Sequence, residues 1–341
     1  IAAGLSLGWL IGPSALVIGV LLGAGLQLAI QWPGLRGVPL RLVPDPRNPG
    51  VRRALALYAP VAAGLGVSQV AIFVDRYLAW GTGDASIAAM RSATTLVQLP
   101  LGLVATATAF AVLPTLARAV DEPAEFAGTL AFGVRLALLA MVPATVGLVL
   151  LREPVVRLLF QRGAFGPADT LLTATAFAWY APQMPFWAVD QLLIFAFYAR
   201  KDTLTPVTVG VVGTLLYLAV ALLAVAPLGM FGLILANTVQ NSAHCLVMYA
   251  LLLRAGRGLG GHGVAGALGR ALLASLALAL AWLAAVAALG QPPPSAAANA
   301  LWLVVVGAAM GGAAVLALAA LRTPELVELA AAARRRFGRS A

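Results

Sequence analysis

Long stretches without a charged residue dominate this chain of 341 residues. Of its residues, 62% are apolar and 10% are charged, whereas a soluble domain is typically about 25% charged. The composition excludes a soluble globular domain, and the high hydrophobicity excludes a disordered chain. A transmembrane helix needs about 20 consecutive apolar residues. The charge-free stretches are residues 1–35, 54–74, 92–117, 136–151, 170–189, 203–253 and 271–321.

Breaks in the two longest stretches divide each of them into separate helices. The breaks are segments 226–229 and 290–294, whose proline and glycine residues interrupt a regular helix. Only helices and closed barrels satisfy the backbone inside hydrocarbon, and the alternating pattern of a barrel strand is absent. We therefore predict an all-α polytopic membrane protein with nine transmembrane helices. Their predicted positions are residues 5–30, 55–80, 88–114, 129–151, 170–198, 204–226, 229–253, 266–289 and 298–321.

The distribution of basic residues predicts the orientation of these helices. Cytoplasmic loops of membrane proteins carry an excess of Lys and Arg. If the first helix begins on the outer side of the membrane and the last ends on the inner side, 17 of the 22 Lys and Arg residues lie in inner loops or in the C-terminal tail. The net charge of +10 therefore reflects membrane topology, and no nucleic-acid partner is predicted. The inner residues are Arg36, Arg41, Arg47, Arg52, Arg53, Arg118, Arg135, Arg200, Lys201, Arg254, Arg257, Arg270, Arg322, Arg334, Arg335, Arg336 and Arg339.

Polar residues at helical spacing mark four of the predicted helices. Residues spaced i, i+3, i+4 and i+7 share one helix face, and ionisable groups inside a membrane usually face a bundle interior or a hydrated cavity. We therefore predict one shared hydrated cavity. The predicted cavity residues are Gln69 and Arg76 of the second helix, Arg91, Thr94, Thr95 and Gln98 of the third, Gln183, Asp190 and Gln191 of the fifth, and Asn237, Gln240, Asn241 and His244 of the seventh.

Two alternatives to a substrate cavity stay open for these residues. Arg76 and Arg91 lie near the outer helix ends, so each can extend its side chain to the interface, and Arg91 can instead pair with Asp75. The polar residues of the seventh helix can serve as hydrogen bonds between helices, which are common in membranes.

Asp190 is the deepest acidic residue in the predicted helices. An unpaired carboxylate at that depth is costly, and no basic residue follows it in the chain before Arg200. We predict that Asp190, with Gln183 on the same face, binds a proton or Na⁺ and couples cavity opening to the ion or voltage gradient. The alternative is a buried structural acid. Nothing near His244 completes a set of metal ligands, so no metal and no cofactor is predicted.

One predicted outer loop, residues 152–168, mixes Arg with Leu, Val and Phe. This composition predicts an amphipathic segment at the outer membrane interface. Arg157 and Arg162 are predicted to form an outer gate or a site for anionic lipid headgroups. The alternative is a surface helix that shields the bundle.

Sequence motifs give little support to enzyme chemistry. The chain contains no HExxH motif and no P-loop motif. A transferase that handles a phosphate sugar normally needs clustered carboxylates for metal binding or acid–base work, whereas Asp75 and Asp190 stand alone in their helices. We therefore predict no catalytic residue.

Several segments, in this order, resemble the MurJ (MviN) family of lipid II flippases, which belongs to the larger MOP transporter superfamily. The blocks QLPLG and RGAF are specific when they occur in this order. The resembling segments are GVLLGAGLQLAIQWPGLRG, PVAAGLGVSQVAIFVDRYLAWG, LVQLPLGLVATATAFAVLPTLARA, VVRLLFQRGAFGPADTLLTATAF, FAFYARKDTLTPV and GLILANTVQNSAHCLVMYALLLR.

The resemblance implies a MATE-like fold of two six-helix lobes with two extra helices. This chain would hold helices six to fourteen, and helices one to five would be missing. The implied domains are residues 1–54 (last helix of the first lobe and an inner linker), 55–253 (second lobe), 254–321 (two extra helices) and 322–341 (basic cytoplasmic tail).

The implied function is transfer of a lipid-linked peptidoglycan precursor from the inner to the outer leaflet of the bacterial plasma membrane by alternating access. Cavity arginines would hold its pyrophosphate, so the implied substrate-binding residues are Arg91, Thr95, Gln98, Arg76 and Gln69. The family has an arginine where Thr95 stands, and Arg91, one turn away, could substitute for it. Alternatives are a polysaccharide or drug exporter of the same superfamily, a non-transporting membrane scaffold for wall synthesis, and a polyprenyl-phosphate transferase.

Overall fold

The computed structural model describes residue 12, residues 14–35, residue 45 and residues 48–83, 85–256 and 258–325. Within these ranges every regular element is a helix. The α-helices are α1 (Ser14–Gln31), α2 (Pro49–Trp80), α3 (Ser86–Arg118), α4 (Pro123–Leu150), α5 (Arg152–Phe160), α6 (Pro167–Tyr180), α7 (Gln183–Ala199), α8 (Leu204–Leu228), α9 (Met230–Arg254), α10 (Val264–Leu289) and α11 (Ala296–Ala320). The predicted inner residues Arg36, Arg41, Arg47 and Arg257, and the predicted basic tail from residue 326 onward, lie outside the described residues.

The helices confirm the predicted all-α membrane fold. Within the described ranges, six helical segments are long and apolar enough to cross a membrane, and the chain is a multi-pass membrane protein. The predicted count of nine transmembrane helices is not confirmed by this criterion and stays a prediction. The six segments are Val17–Gly34, Ser86–Val104, Pro123–Leu150, Leu204–Leu228, Val264–Leu289 and Ala296–Ala320.

The fifth predicted span, residues 170–198, consists of two helices rather than one. Helix α6 ends at Tyr180, and α7 begins at Gln183 after a short turn. Pro182 causes the break, because a proline ring lacks the amide hydrogen and clashes with the carbonyl four residues earlier. With 14 and 17 residues, neither helix alone matches the roughly 20 residues that a span needs.

Two apolar cores hold the helices of the larger part of the chain together. The first lies among α3, α4, α6, α7, α8 and α9, and the second lies among α4, α10 and α11. In the second core Ala267, Ala271 and Ala274 are fully buried along one face of α10. Small residues let membrane helices approach closely, so α10 packs tightly on α4.

The chain divides into two compact units, residues 1–56 and 57–341, and every site described below lies in the second unit. The predicted domain boundaries after residues 54, 253 and 321 are not tested by this division and stay predictions.

The turn between α7 and α8 is stabilised by Asp202. Its carboxylate accepts hydrogen bonds from the Thr205 amide at 3.0 Å and the Thr205 hydroxyl at 2.7 Å. Partial burial, the largest single influence, raises the pKa of Asp202. The two hydrogen bonds and the charge of Arg200 together lower the pKa by more, so it lies below its usual value. The ionised form of Asp202 therefore stabilises the first turn of α8.

An ion pair joins the segment after α11 to α4. The Arg135 Nε atom donates to the carboxylate of Glu325, whose side chain is 2% exposed. Arg135 Nη1 also donates to the His262 carbonyl at 2.5 Å. One guanidinium thus connects α4, the loop before α10 and the segment after α11.

Removing one partner of this pair is expected to destabilise the protein strongly. Glu325→Gln leaves the Arg135 charge without its carboxylate, which costs about 3–5 kcal/mol for a buried pair. Thermal unfolding of the purified protein in detergent measures the effect. Glu153→Gln is the matched control, because its ion pair with Arg157 is half exposed and such pairs contribute about 1 kcal/mol or less. Similar losses for the two variants would contradict a stabilising role for the Arg135–Glu325 pair.

Candidate functional site

A polar cavity of about 320 Å³ lies among α2, α3, α6, α8 and α9. Each of these helices contributes at least one polar side chain to the cavity wall, within otherwise apolar stretches. The lining residues are Ile72, Asp75, Arg76, Met90, Arg91, Thr94, Tyr180, Thr214, Tyr217, Asn237 and Gln240.

The cavity brings together residues that were predicted as polar in three of the four predicted polar helices. Arg76 comes from α2, Arg91 from α3, and Asn237 and Gln240 from α9. Both guanidiniums are exposed rather than packed into the protein. A guanidinium presents a planar set of donors that matches a phosphate group in a bidentate manner, so this wall can hold an anionic ligand.

Asp75 and Tyr217 form a contact in the cavity that the sequence did not predict. The Tyr217 hydroxyl donates a hydrogen bond to the Asp75 carboxylate, which links α8 to α2. No ion pair between Asp75 and Arg91 forms in the described part of the chain, so the structure does not support that alternative. Thr214 and Tyr217, polar residues at i, i+3 in the apolar α8, are the signal that could have identified this helix as a cavity wall.

Three predicted substrate-binding residues lie outside the cavity wall. Gln69, Thr95 and Gln98 are exposed and do not line the cavity. The Thr95 hydroxyl donates to the Arg91 carbonyl of its own helix at 2.9 Å. On α3, Arg91 and Thr94 therefore line the cavity, whereas Thr95 and Gln98 do not, although all four were predicted to share one face.

A second polar cluster lies between α7 and α9. Asp190 Oδ1 is 2.8 Å from His244 Nδ1, and the Asn241 amide nitrogen donates to Gln183 Oε1 at 2.5 Å. The same amide nitrogen is 3.0 Å from the carbonyl oxygen of Asn237, which also lines the cavity. Asp190 and Gln183 of the fifth predicted helix and Asn241 and His244 of the seventh therefore meet beside the cavity.

The side chain next to Asp190 is His244, which belongs to a different predicted helix. Asp190 and Gln183 are 7% and 1% exposed. Gln183 was expected to join Asp190 around a cation, but its side-chain oxygen accepts from Asn241 instead. His244 takes that place at Asp190, and among the described residues no group of three or more His, Cys, Asp or Glu side chains could hold a metal ion.

Glycine residues on α8 allow α9 to bring these side chains close. A Cβ atom at Gly213 would lie 3.6 Å from Gln240 Cγ, and one at Gly210 would lie 3.9 Å from His244 Nε2. Both distances are ordinary van der Waals contacts, so a methyl group fits at either position, whereas a longer side chain would press on the polar face of α9. Close packing through small residues is the common arrangement between membrane helices.

The predicted amphipathic outer segment forms helix α5. Pro154 and Val156 are buried, whereas Arg152 is exposed. Arg157 donates to Glu153 at 2.7 Å and faces the carbonyl of Pro292 at 3.4 Å.

The two predicted gate arginines do not share a site in this structure. Arg162 is exposed in the turn after α5, away from the side chains that surround Arg157. Their predicted role as an outer gate stays a prediction.

Comparison with known proteins gives consistent matches. Residues 1–292 match the family described as lipid II flippase MurJ. The probable lipid II flippase MurJ of Rhizobium meliloti (strain 1021) is 32% identical over 258 residues, which are 73% of this chain and 48% of that protein. The corresponding protein of Haemophilus influenzae is 30% identical over 251 residues, or 71% of this chain and 49% of that protein. The chain thus spans about half the length of the curated relatives it matches.

A solved structure has a similar fold. The lipid II flippase MurJ in an inward closed conformation aligns with a TM-score of 0.71 over 92% of this chain and 64% of that chain. The sequence identity is 19%, so this likeness concerns the arrangement of the helices.

The hydrogen bond between Tyr217 and Asp75 gives a prediction about stability. Tyr217→Phe removes the donor and leaves a partly buried carboxylate unsatisfied, which costs about 1–3 kcal/mol. We expect a lower thermal unfolding midpoint in detergent. Tyr180→Phe is the matched control, since Tyr180 lines the same cavity and its hydroxyl has no hydrogen bond within the described residues. An unchanged midpoint for Tyr217→Phe would show that the contact contributes nothing.

Proposed function

The chain belongs to the lipid II flippase MurJ family, and from this premise we propose that it forms part of a flippase for lipid II. The protein would move this lipid-linked peptidoglycan precursor from the inner to the outer leaflet of the bacterial plasma membrane by alternating access. The observation that carries the proposal is the placement of Arg76 and Arg91 in one polar cavity within an all-helical membrane protein.

The cavity wall suits the anionic part of such a substrate. Two guanidiniums provide charge-assisted hydrogen bonds for phosphate oxygens, and the amide groups of Asn237 and Gln240 provide neutral donors. The carboxylate of Asp75 repels an anion, but two guanidiniums outweigh its single negative charge. Asp75 accepts its hydrogen bond from Tyr217, so it engages neither guanidinium. Three predicted substrate-binding residues lie outside the cavity wall in this state, namely Gln69, Thr95 and Gln98. Their contact with the substrate would belong to a different state of the transport cycle.

A flippase releases its substrate chemically unchanged. We therefore propose a transporter with no catalytic residue and no cofactor, apart from a coupling ion. The partners would be the lipid-linked anionic substrate, the surrounding membrane lipids and helices one to five of the fold.

The proposed orientation follows from the basic residues of the chain. An excess of Lys and Arg on one side marks the cytoplasmic face, which supports a multi-pass protein of the inner membrane with a cytoplasmic C-terminus. Arg157 and Arg162 would then lie on the outer face, where we assign them to an outer gate.

The pair of Asp190 and His244 supports a role in coupling. The two side chains lie 2.8 Å apart between α7 and α9, next to residues that line the cavity. The pair can gain or lose a proton, which changes its net charge and thus its preference for a closed or an open arrangement of the two helices. Moving one charge through the whole membrane potential corresponds to about 2.3 kcal/mol per 100 mV, which is enough to bias a two-state transporter.

Substitution of Arg91 tests the proposed substrate site. Arg91→Ala in the full-length protein is expected to abolish the rescue of cells that lack their own flippase, because a phosphate ligand loses one of its two cations. Arg91→Ala combined with Thr95→Arg is expected to restore part of the rescue, since it moves the charge by one turn. Growth after depletion of the resident flippase is the measurement, with expression verified for each variant.

A matched control for Arg91 lies at the end of the same helix. The Arg118 Nε atom donates to the Pro114 carbonyl at 3.1 Å and is exposed, so Arg118→Ala should rescue growth like the unaltered protein. Full rescue by Arg91→Ala alone would refute a substrate role for this arginine.

Substitution of Asp190 tests the coupling role separately. Asp190→Asn should keep substrate binding but slow flipping or remove its dependence on the gradient, because the pair with His244 can no longer change its charge in the same way. Flipping in proteoliposomes with and without an imposed pH or sodium gradient and membrane potential provides the measurement. If flipping by Asp190→Asn keeps an unchanged gradient dependence, Asp190 is a structural acid and His244 its structural partner.

A further inference from the structure

A second polar cavity of about 330 Å³ lies where α5 meets the connection between α10 and α11. It is separate from the cavity that holds Arg76 and Arg91. The proposed function assigns Arg157 to an outer gate but gives this cavity no ligand. The side chains that give it its chemistry are Arg152, Glu153, Arg157, Trp282, Gln291 and Trp302.

The position of this cavity corresponds to the level of lipid headgroups. Helix α4 ends at Leu150, α10 ends at Leu289 and α11 begins at Ala296, and all three are long and apolar enough to span a membrane. The cavity thus lies where three spans meet the interface. Tryptophan is enriched at this level of membrane proteins, and two indoles contribute to the wall.

The charge of the wall matches one phosphodiester group. Two guanidiniums and one carboxylate leave a net charge of one positive unit. Arg157 faces the carbonyls of Pro292 and Pro293 at 3.4 Å, which is longer than a usual N–H···O hydrogen bond of about 2.7–3.2 Å. A phosphate oxygen can therefore replace these contacts at little cost.

Arg152 supplies the second cation of this cavity. Its Nη1 atom donates to the Val149 carbonyl at 2.9 Å, and the residue is exposed. A guanidinium has five N–H donors, so several of those on Arg152 remain available to a ligand at the mouth of the cavity.

The frame of the cavity is fixed by a buried hydrogen bond. Asn299, in the first turn of α11, is fully buried, and its side-chain nitrogen donates to the Pro154 carbonyl of α5 at 2.9 Å. The Trp302 indole nitrogen donates to the Gly290 carbonyl at 3.3 Å. The first contact holds α11 against α5, and the second joins α11 to the residue that follows α10. The site is therefore formed before a ligand arrives, which lowers the entropic cost of binding.

Apolar side chains next to the cavity favour a lipid over a free phosphate ester. Leu283 and Leu289 of α10 and Leu301 of α11 are 55%, 54% and 67% exposed. They lie close in sequence to the cavity residues Trp282, Gln291 and Trp302, on the membrane spans that lead away from it. Acyl chains can lie along these residues while the headgroup occupies the cavity.

We propose that this cavity binds the phosphodiester headgroup of an anionic glycerophospholipid, with the phosphate at Arg152 and Arg157. The bound lipid joins α5 to the α10–α11 hairpin at the membrane surface. The inference does not rest on lipid II transport, because the binding is measured without substrate and without flipping.

Native mass spectrometry of the purified protein in a neutral detergent tests the proposal. Dioleoyl-phosphatidylglycerol should be retained at one molecule per protein with an affinity at least about tenfold higher than dioleoyl-phosphatidylcholine. Free glycerol phosphate should not compete with the lipid, since it lacks the acyl chains. Equal retention of the two lipids, or competition by free glycerol phosphate at similar concentration, would overturn the assignment to an anionic lipid.

Paired variants locate the binding to this cavity. Arg152→Gln with Arg157→Gln should lower the affinity for phosphatidylglycerol by about tenfold or more, whereas Arg152→Lys with Arg157→Lys should keep the preference for the anionic lipid. Arg270→Gln is the matched control, because Arg270 lies at the other end of α10 and donates to the Gly266 carbonyl of its own helix. An equal loss with Arg270→Gln would indicate non-specific attraction of lipid to positive charge and would refute the site.

A measurement on the unaltered protein covers the case in which the double glutamine variant does not fold. Trp282 and Trp302 lie in the cavity wall, so phosphatidylglycerol with bromine atoms near the glycerol end of its chains should quench tryptophan fluorescence more strongly than brominated phosphatidylcholine, and the quenching should saturate. Equal quenching by both lipids would reject the proposal.

Discussion

The cost of a polar side chain inside an apolar bundle controls the arrangement of the helices in this protein. A buried acceptor or donor without a partner costs about 1–3 kcal/mol, and a charged group costs more. Each of three polar side chains here has a hydrogen-bond partner that avoids this cost. The pairs are Asp190 with His244, Gln183 with Asn241, and Asp75 with Tyr217. Each of these contacts joins two different helices, so satisfaction of the polar groups also fixes which helices are neighbours.

Small residues make these contacts possible. Gly210 and Gly213 on α8 let the polar face of α9 approach, and Ala267, Ala271 and Ala274 do the same where α10 packs on α4. The hydrophobic effect does not drive helix association in a membrane, because lipid tails are as apolar as the side chains themselves, so the apolar cores contribute through van der Waals packing. Close backbone approach and hydrogen bonds between helices therefore supply the specificity of the bundle.

The hydropathy pattern predicted the helices well, because it depends only on local sequence. Charge-free stretches identified the positions of the helices, and the spacing of Arg91 and Thr94 identified a face that meets the cavity. The break after Tyr180 was missed, although Pro182 in the middle of an apolar stretch is a local signal for it.

Pairings between helices could not be predicted in this way. Asp190 and His244 are 54 residues apart, and Asp75 and Tyr217 are 142 residues apart. Helix periodicity says which side of a helix is polar, but the rotation and depth of one helix relative to another depend on packing along their whole lengths. For the same reason Thr95 and Gln98, which share a predicted face with Arg91, lie outside the cavity wall.

The two cavities contain the same charged groups in different arrangements, and this difference sets which anion each can accept. Each has two arginines and one acid. In the first cavity Asp75 accepts its hydrogen bond from the neutral phenol of Tyr217. The net charge of the two walls is the same, but the donors of both guanidiniums in the first cavity stay available for a ligand with several phosphate oxygens, such as a pyrophosphate. In the second cavity Glu153 accepts a hydrogen bond from Arg157 of the same helix, so fewer guanidinium donors remain for a ligand. The second cavity is therefore suited to a singly charged diester.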